Sequence, residues 1–146
     1  MQPEVTGRHE TLMTHSEAET AAAGRDLART LTAGSVVLLF GGLGAGKTAF
    51  VRGLAEGLGA NPADVSSPTF TLVQEYGGGR LRLAHVDLYR LNDAREVDEL
   101  GLEDFEDDAA VAIEWAEKLP RPPRGAIHVS ITDRGGDIRQ VEVVRD

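Results

Sequence analysis

Hydrophobic positions along this chain fall into short blocks of two kinds, spaced either as on a helix or as on a strand. Ala21, Gly24, Leu27, Ala28 and Leu31 share one helical face behind a capping signature of Ser16 and Glu19, and Gly34 is the expected stop. Residues 36–40 (Val-Val-Leu-Leu-Phe) are apolar on both faces, as in a buried central strand. Phe50, Val51, Leu54 and Leu58 then mark the core face of a second helix, closed by Gly59. Asn61-Pro62 predicts one more short helical turn before the polar loop Ser66-Ser67-Pro68-Thr69. Residues 70–76 and 80–87 are both strand-like, and the glycines at 77–79 join them, so an antiparallel hairpin is expected. Residues 93–108 read as an acidic helix with Val97, Leu100 and Phe105 buried and nine carboxylates on a solvated face. A short apolar run, 109–113, ends in Glu114-Trp115, and 121–124 (Arg-Pro-Pro-Arg) form a stiff extended connector. Residues 127–132 and 138–144 alternate like two half-exposed strands about a turn at 133–137. Residues 1–13 show no period and are expected to be disordered.

Composition narrows the class. With 146 residues the chain is expected to be one domain, 1–146, able to bury a core of its own. It has no cysteine, which excludes disulfides and thiolate metal sites. No apolar run approaches the roughly 20 residues of a membrane span. The first 14 residues lack the apolar region of a signal peptide, so a soluble, cytoplasmic protein is the expectation. Acidic residues number 24 against 15 basic, a net charge of −9. That balance argues against independent binding to a nucleic-acid backbone, which needs clustered Lys and Arg. Any nucleic acid is expected to be held by another subunit.

The chemistry begins where the apolar run 36–40 breaks into glycines. Gly41, Gly46, Lys47 and Thr48 meet the spacing G-x-x-x-x-G-K-[ST] of a phosphate-binding P-loop. Glycines let successive N–H groups curl inward as an anion nest, and the helix that follows adds the positive end of its dipole. Gly42, Leu43, Gly44, Ala45, Gly46, Lys47, Thr48 and Ala49 are the candidate nucleotide-binding residues. Lys47 is expected to reach the β- and γ-phosphates, and the Thr48 hydroxyl to ligate Mg2+. The resulting fold class is α/β: a P-loop NTPase-like three-layer sandwich with a mixed central sheet that includes the antiparallel hairpin.

In open α/β sheets, ligands bind beyond the carboxyl ends of the strands. The polar residues that follow strand runs are therefore candidates to complete the site: Thr69, Asp87 and Glu114. Asp87, after Leu83-Ala84-His85-Val86, is the candidate second Mg2+ residue; its alternative is a turn or cap. Glu114 would polarise the attacking water or hold a water on Mg2+, and otherwise it is a strand-end glutamate bonded to a neighbouring loop. Thr69 is either a hydroxyl that senses the γ-phosphate in a switch or part of a proline turn that begins a strand. His85 has the strand parity of Asp87, so both should share one face; it is a site member or a histidine hydrogen-bonded near the sheet end. Tyr89 and Arg90 either pack and pair locally or point at phosphate, Arg90 being the in-chain candidate for charge stabilisation, and Trp115 is a packing residue that shapes its loop.

The loop Gly41–Thr48, the segment Ser67-Pro68-Thr69-Phe70, His85-x-Asp87-x-Tyr89-Arg90, Glu96 with Gly101, and Glu114-Trp115-x-Glu117 run in one order over about residues 16–120. This combination resembles the TsaE (YjeE) family, small bacterial P-loop ATPases of tRNA threonylcarbamoyladenosine (t6A) biosynthesis. The resemblance implies ATP hydrolysis that supports turnover of a complex with the TsaD and TsaB proteins. That complex places threonylcarbamoyl on N6 of adenosine 37 in tRNAs that read ANN codons, with TsaD carrying the transfer chemistry and the partners holding the tRNA. It further implies that Thr48 and Asp87 are the Mg2+ residues, that Thr69 belongs to a switch-like segment, and that Glu114 is required for hydrolysis.

Rival classes fare less well. A small-molecule P-loop kinase needs a lid over both substrates, and the 26 residues between Asp87 and Glu114 read as one acidic helical segment. A regulatory GTPase would carry an Asn-Lys-x-Asp motif, whereas the two lysines here are Lys47 and Lys118. A nucleotide-sensing module without turnover meets the same residue pattern as an ATPase.

Overall fold

The computed structural model describes residues 8–42, 44–65, 73–77, 79–89, 95, 108–120, 123 and 125–145. Leu43, Thr69, Arg90, the first seven residues and most of the segments 93–108 and 121–124 lie outside the described residues. In chain order the elements are β1 (Arg8–Thr14), α1 (Glu17–Ala28), β2 (Val36–Phe40), α2 (Lys47–Leu58), β3 (Val73–Tyr76), β4 (Arg82–Asp87), β5 (Ala109–Glu114), β6 (Ile127–Asp133) and β7 (Arg139–Arg145). Short 3-10 turns at Pro62–Asp64 and Ala116–Lys118 interrupt the connections. The first is the extra turn expected at Asn61-Pro62, and the Asn61 side chain caps it by accepting from the Ala63 N–H.

The sheet is mixed and seven-stranded, in the order β1-β7-β6-β2-β5-β4-β3. Its centre is parallel: β2 pairs with both β5 and β6, and β4 with β5. Both flanks are antiparallel, through β3–β4 on one side and β6–β7–β1 on the other. The two expected hairpins are thus present. The second strand of the first hairpin begins at Arg82 rather than at residue 80, because Arg80 is drawn elsewhere. Its N–H donates to the Leu58 carbonyl at the end of α2, and its guanidinium donates to the carbonyls of Ala28 and Leu31 at the end of α1.

Two expectations fail. Residues 8–13 are not disordered: they belong to β1, which pairs with β7 along its whole length from Arg8↔Arg145 to Thr14↔Arg139. The strand escapes pattern recognition because it is a polar edge strand whose residues 9–13 are exposed; backbone bonds hold it, and few apolar contacts do. Thr14 is the exception, buried and hydrogen-bonded to Thr20 of α1 at 2.7 Å. Helix α1 ends at Ala28, not at Gly34. The N–H groups of Arg29, Thr30 and Leu31 tighten onto carbonyls three residues back, and Arg80 donates to the carbonyls of Ala28 and Leu31. Gly34 instead turns the chain into β2.

Alternation along the strands sorts the core into two faces. Val37, Leu39, Leu83, Ala110 and Ala112 face α1 and α2, with Phe50, Leu54 and Leu58 from the helix side. Each of these large helix side chains is fully buried, worth roughly 1.5–3 kcal/mol. Leu38, Ala84, Val86, Val111 and Ile113 form the other face, against Trp115, Ala116 and Leu119. Helices α1 and α2 therefore lie on one side of the sheet, and they approach each other through their backbones. A Cβ at Gly24 would sit 2.2 Å from the Phe50 carbonyl oxygen, and one at Gly53 would sit 1.8 Å from that of Ala21. Glycine at these positions lets α1 and α2 pack backbone to backbone.

Candidate active site

Strand β2 delivers the chain into the glycine loop at the carboxyl edge of the parallel strands. Gly41, Gly44 and Gly46 hold positive φ angles of 147°, 76° and 106°, a region in which any Cβ is strained. Ala45 and Ala49 bury their methyls in the core, so only their main-chain groups can serve a ligand. Lys47 and Thr48 open α2, so the positive end of its dipole lies at the loop. The Lys47 ammonium is 5% exposed; it donates to the Gly41 carbonyl at 2.7 Å and sits 3.9 Å over the Trp115 ring. Burial pushes its pKa down, while Glu114, Glu117 and Asp87 pull it up.

Opposite the loop stand two carboxylates. Asp87 ends β4 and Glu114 ends β5, and the two are register partners. Glu114 is also the register partner of Leu39 on β2, one strand over. The parity of the strands turns both carboxylates to the helix face, the side from which Lys47 arrives. Asp87 Oδ1 accepts from the Tyr89 N–H at 2.9 Å, an Asx turn. Burial raises the pKa of Asp87 above 3.8, and Glu114 adds to the rise; the Tyr89 hydrogen bond, His85 and Lys47 oppose it. An aspartate held in that environment gains by acquiring a cation. One hydroxyl and two carboxylates make a hard oxygen donor set. It fits Mg2+, which takes one or two carboxylates and completes its shell with phosphate and water. Among the described residues there is no group of three His, Cys, Asp or Glu of the sort a protein-only cage would need.

For His85 the structure shows the hydrogen-bonded histidine near the sheet end, and its partner is Glu114. The ring is buried at 0% exposure, and its Nε2 is 2.5 Å from Glu114 Oε2, itself on a residue 3% exposed. Behind it, His85 Nδ1 lies 3.2 Å from the Tyr76 hydroxyl, which donates to Gln74 Oε1 at 2.7 Å. A buried relay from Gln74 through Tyr76 and His85 thus fixes one oxygen of Glu114 and leaves the other for a ligand. Glu114 is bonded to a histidine of the adjacent strand, not to a neighbouring loop.

Of the residues singled out from sequence, the structure brings together Gly44, Ala45, Gly46, Lys47, Thr48, Asp87, His85 and Glu114. Leu43, Thr69 and Arg90 fall outside the described residues. Gln74 and Tyr76 went unnoticed, although the register of the hairpin sets Gln74 opposite His85. Trp115 does more than shape its loop. It is the one non-glycine residue with positive φ (60°) among the described residues, a conformation costing about 1–2 kcal/mol. Its ring packs at a tilt of 46° against Tyr89, with centroids 5.0 Å apart, and covers Lys47. The signal was its place directly after a strand-end carboxylate.

Comparison with known proteins agrees with this fold. The family model described as threonylcarbamoyl adenosine biosynthesis protein TsaE matches residues 14–141. Proteins named tRNA threonylcarbamoyladenosine biosynthesis protein TsaE share 48% identity over 122 residues in Nostoc sp. (80% of this chain, 74% of the relative) and 40% over 125 residues in Bacillus subtilis (84% and 77%). The Aquifex aeolicus protein of that name is 37% identical over 131 residues, 89% of this chain and 92% of the relative. A crystal structure of YdiB from Bacillus subtilis superposes with a TM-score of 0.74 at 32% identity, covering 95% of this chain and 86% of that one. By its sequence and its fold, the chain belongs to the TsaE family.

Proposed function

We propose that this chain is an Mg2+-dependent ATPase of the t6A machinery. In this reading it hydrolyses ATP to support turnover of a TsaB–TsaD complex that modifies adenosine 37 of tRNA. The observation that carries the ATPase reading is the register pair Asp87–Glu114 set against Lys47 at the carboxyl edge of the parallel strands. In this reading Lys47 leaves the Gly41 carbonyl and binds β- and γ-phosphate oxygens, while the loop N–H groups cradle the rest. Mg2+, when bound by Thr48 and Asp87 with Glu114 directly or through water, offsets the phosphate charge. The free oxygen of Glu114 accepts a hydrogen bond from the attacking water and orients it toward the γ-phosphorus. The new P–O bond forms as the β–γ bridging bond breaks, giving ADP and phosphate. Thr69 is assigned to the switch-like segment that reports the γ-phosphate.

The partner assignment rests on family membership and on charge. A chain of net charge −9 is poorly suited to hold the tRNA backbone alone, which leaves that task to the partner complex. Among the described residues no helix is long and apolar enough to cross a membrane. The test is phosphate release by wild type, Lys47→Ala and Glu114→Ala, each with and without TsaB–TsaD. Slow hydrolysis by the wild type, altered by the partners and lost in both variants, is the expected result. Wild-type turnover by Glu114→Ala removes that residue from the mechanism, and phosphate transfer to an added small metabolite would favour a kinase.

A further inference from the structure

The phosphate loop is gripped from outside by a residue that the nucleotide site does not itself use. Arg139 opens β7, far from the loop in sequence. Its Nε donates to the Ala45 carbonyl at 3.1 Å, and its Nη2 donates to the Gly44 carbonyl at 3.3 Å. The remaining nitrogen, Nη1, donates to Asp133 Oδ1 (3.2 Å) and to the carbonyls of Gly136 (2.8 Å) and Ile138 (3.0 Å) within the β6–β7 hairpin. The side chain is only 18% exposed. One planar guanidinium therefore ties the hairpin to two consecutive peptides of the glycine loop.

In a trans peptide the carbonyl and the N–H of the next residue point in opposite directions. Holding the Gly44 and Ala45 carbonyls from the hairpin side turns the Ala45 and Gly46 N–H groups the other way. The first closes the loop's own turn onto the Gly42 carbonyl at 3.2 Å; the second is thereby turned toward the concave side, where a bound phosphate would sit. Glycines at 44 and 46, both at positive φ, make peptide flips in this loop cheap. A flipped peptide would present a carbonyl to a phosphate. We infer that Arg139 is a positioning residue for nucleotide binding: it selects, before ligand arrives, the loop conformer whose Gly46 N–H faces the phosphates. Pre-organisation of this kind lowers the ordering cost of binding.

The inference rests on the nucleotide-binding part of the proposed function and not on hydrolysis, so it is read by affinity. Binding of ADP with Mg2+ is measured by titration calorimetry for wild type, Arg139→Gln, Arg139→Lys and Asp133→Ala. Arg139→Gln is expected to bind on the order of tenfold more weakly, with kcat at saturating ATP unchanged. Arg139→Lys keeps the charge but cannot span two carbonyls, so a similar loss is expected, and it serves if the Gln variant fails to fold. Asp133→Ala removes one of the three hairpin acceptors of Nη1 while leaving both loop bonds, and should bind within about twofold of wild type. Wild-type affinity in a folded Arg139 variant overturns the inference alone. So does a loss in Asp133→Ala equal to that in Arg139→Gln, which would mark hairpin integrity as the cause. A wild-type chain that binds no ADP ends both this inference and the nucleotide reading.

Discussion

Replacing Gly53 by alanine sets two known effects against each other and tests how the helices are seated. The new methyl would stand 1.8 Å from the Ala21 carbonyl oxygen and 2.6 Å from its carbon, about 1.6 Å inside ordinary contact. Both partners are helix backbone, so no side chain can swing aside; α1 and α2 must part. Overpacking costs about 1–3 kcal/mol, and a backbone clash this deep belongs at about 3. Alanine is the better helix former by about 1 kcal/mol. The net loss is about 2 kcal/mol, and at about 3 °C per kcal/mol for a chain of this size Tm falls by about 6 °C. Because α2 begins with Lys47 and Thr48, its displacement should also weaken nucleotide binding. Thermal unfolding by circular dichroism with and without ADP reads both effects. A Gly53→Ala protein that melts at or above wild type would refute the backbone-contact argument, since helix propensity would then have won.

Asp87→Asn should melt higher than wild type in metal-free solution at neutral pH while losing dependence on Mg2+. Burial raises the Asp87 pKa above 3.8, so the fold holds that proton more tightly than the unfolded chain, and its ionisation costs stability as pH climbs from 3.8 through the raised value. Equal melting of the two proteins across that window and up to neutrality would contradict the assignment. His85→Asn should lower kcat about tenfold or more with little change in ATP affinity, and Tyr76→Phe should do so more mildly, in phosphate-release assays over a range of ATP; unchanged kcat in both would dismiss the relay. Trp115 is the chain's single tryptophan, and its ring covers Lys47. Saturating ADP should draw the lysine away and shift the emission, and a spectrum unmoved at saturation would count against the contact.

Much of this arrangement was legible because chemistry and pattern coincide in it. The phosphate loop declares itself through Gly41, Gly46, Lys47 and Thr48, and parallel strands place their carboxyl ends together, so Asp87 and Glu114 could be set beside it from order alone. What stayed hidden depends on register and on long-range approach. The bond between His85 and Glu114 needs β4 to lie next to β5 in one alignment, which no local period encodes. Helix α1 was misjudged at its end because Arg80, about 50 residues away, supplies the cap. Strand β1 was missed since its residues 9–13 have no buried face to alternate, its pairing with β7 being a backbone affair. Arg139 looks like any exposed strand residue until the hairpin folds it onto Gly44 and Ala45.

The pairing of β1 with β7 has a consequence for how the molecule is assembled in time. The first strand in chain order has one neighbour, and that neighbour is the seventh, roughly 130 residues away. During synthesis β1 must therefore wait as an unpaired edge while everything between is made, and closure of the sheet belongs to the slow, non-local end of folding. Arg139 arrives on that same last strand. A nascent chain can hold its glycine loop, its lysine and both carboxylates and still lack the guanidinium that sets the loop's peptides. On the proposed role of Arg139, tight nucleotide binding then waits for β7: it should appear when that strand docks, and not before.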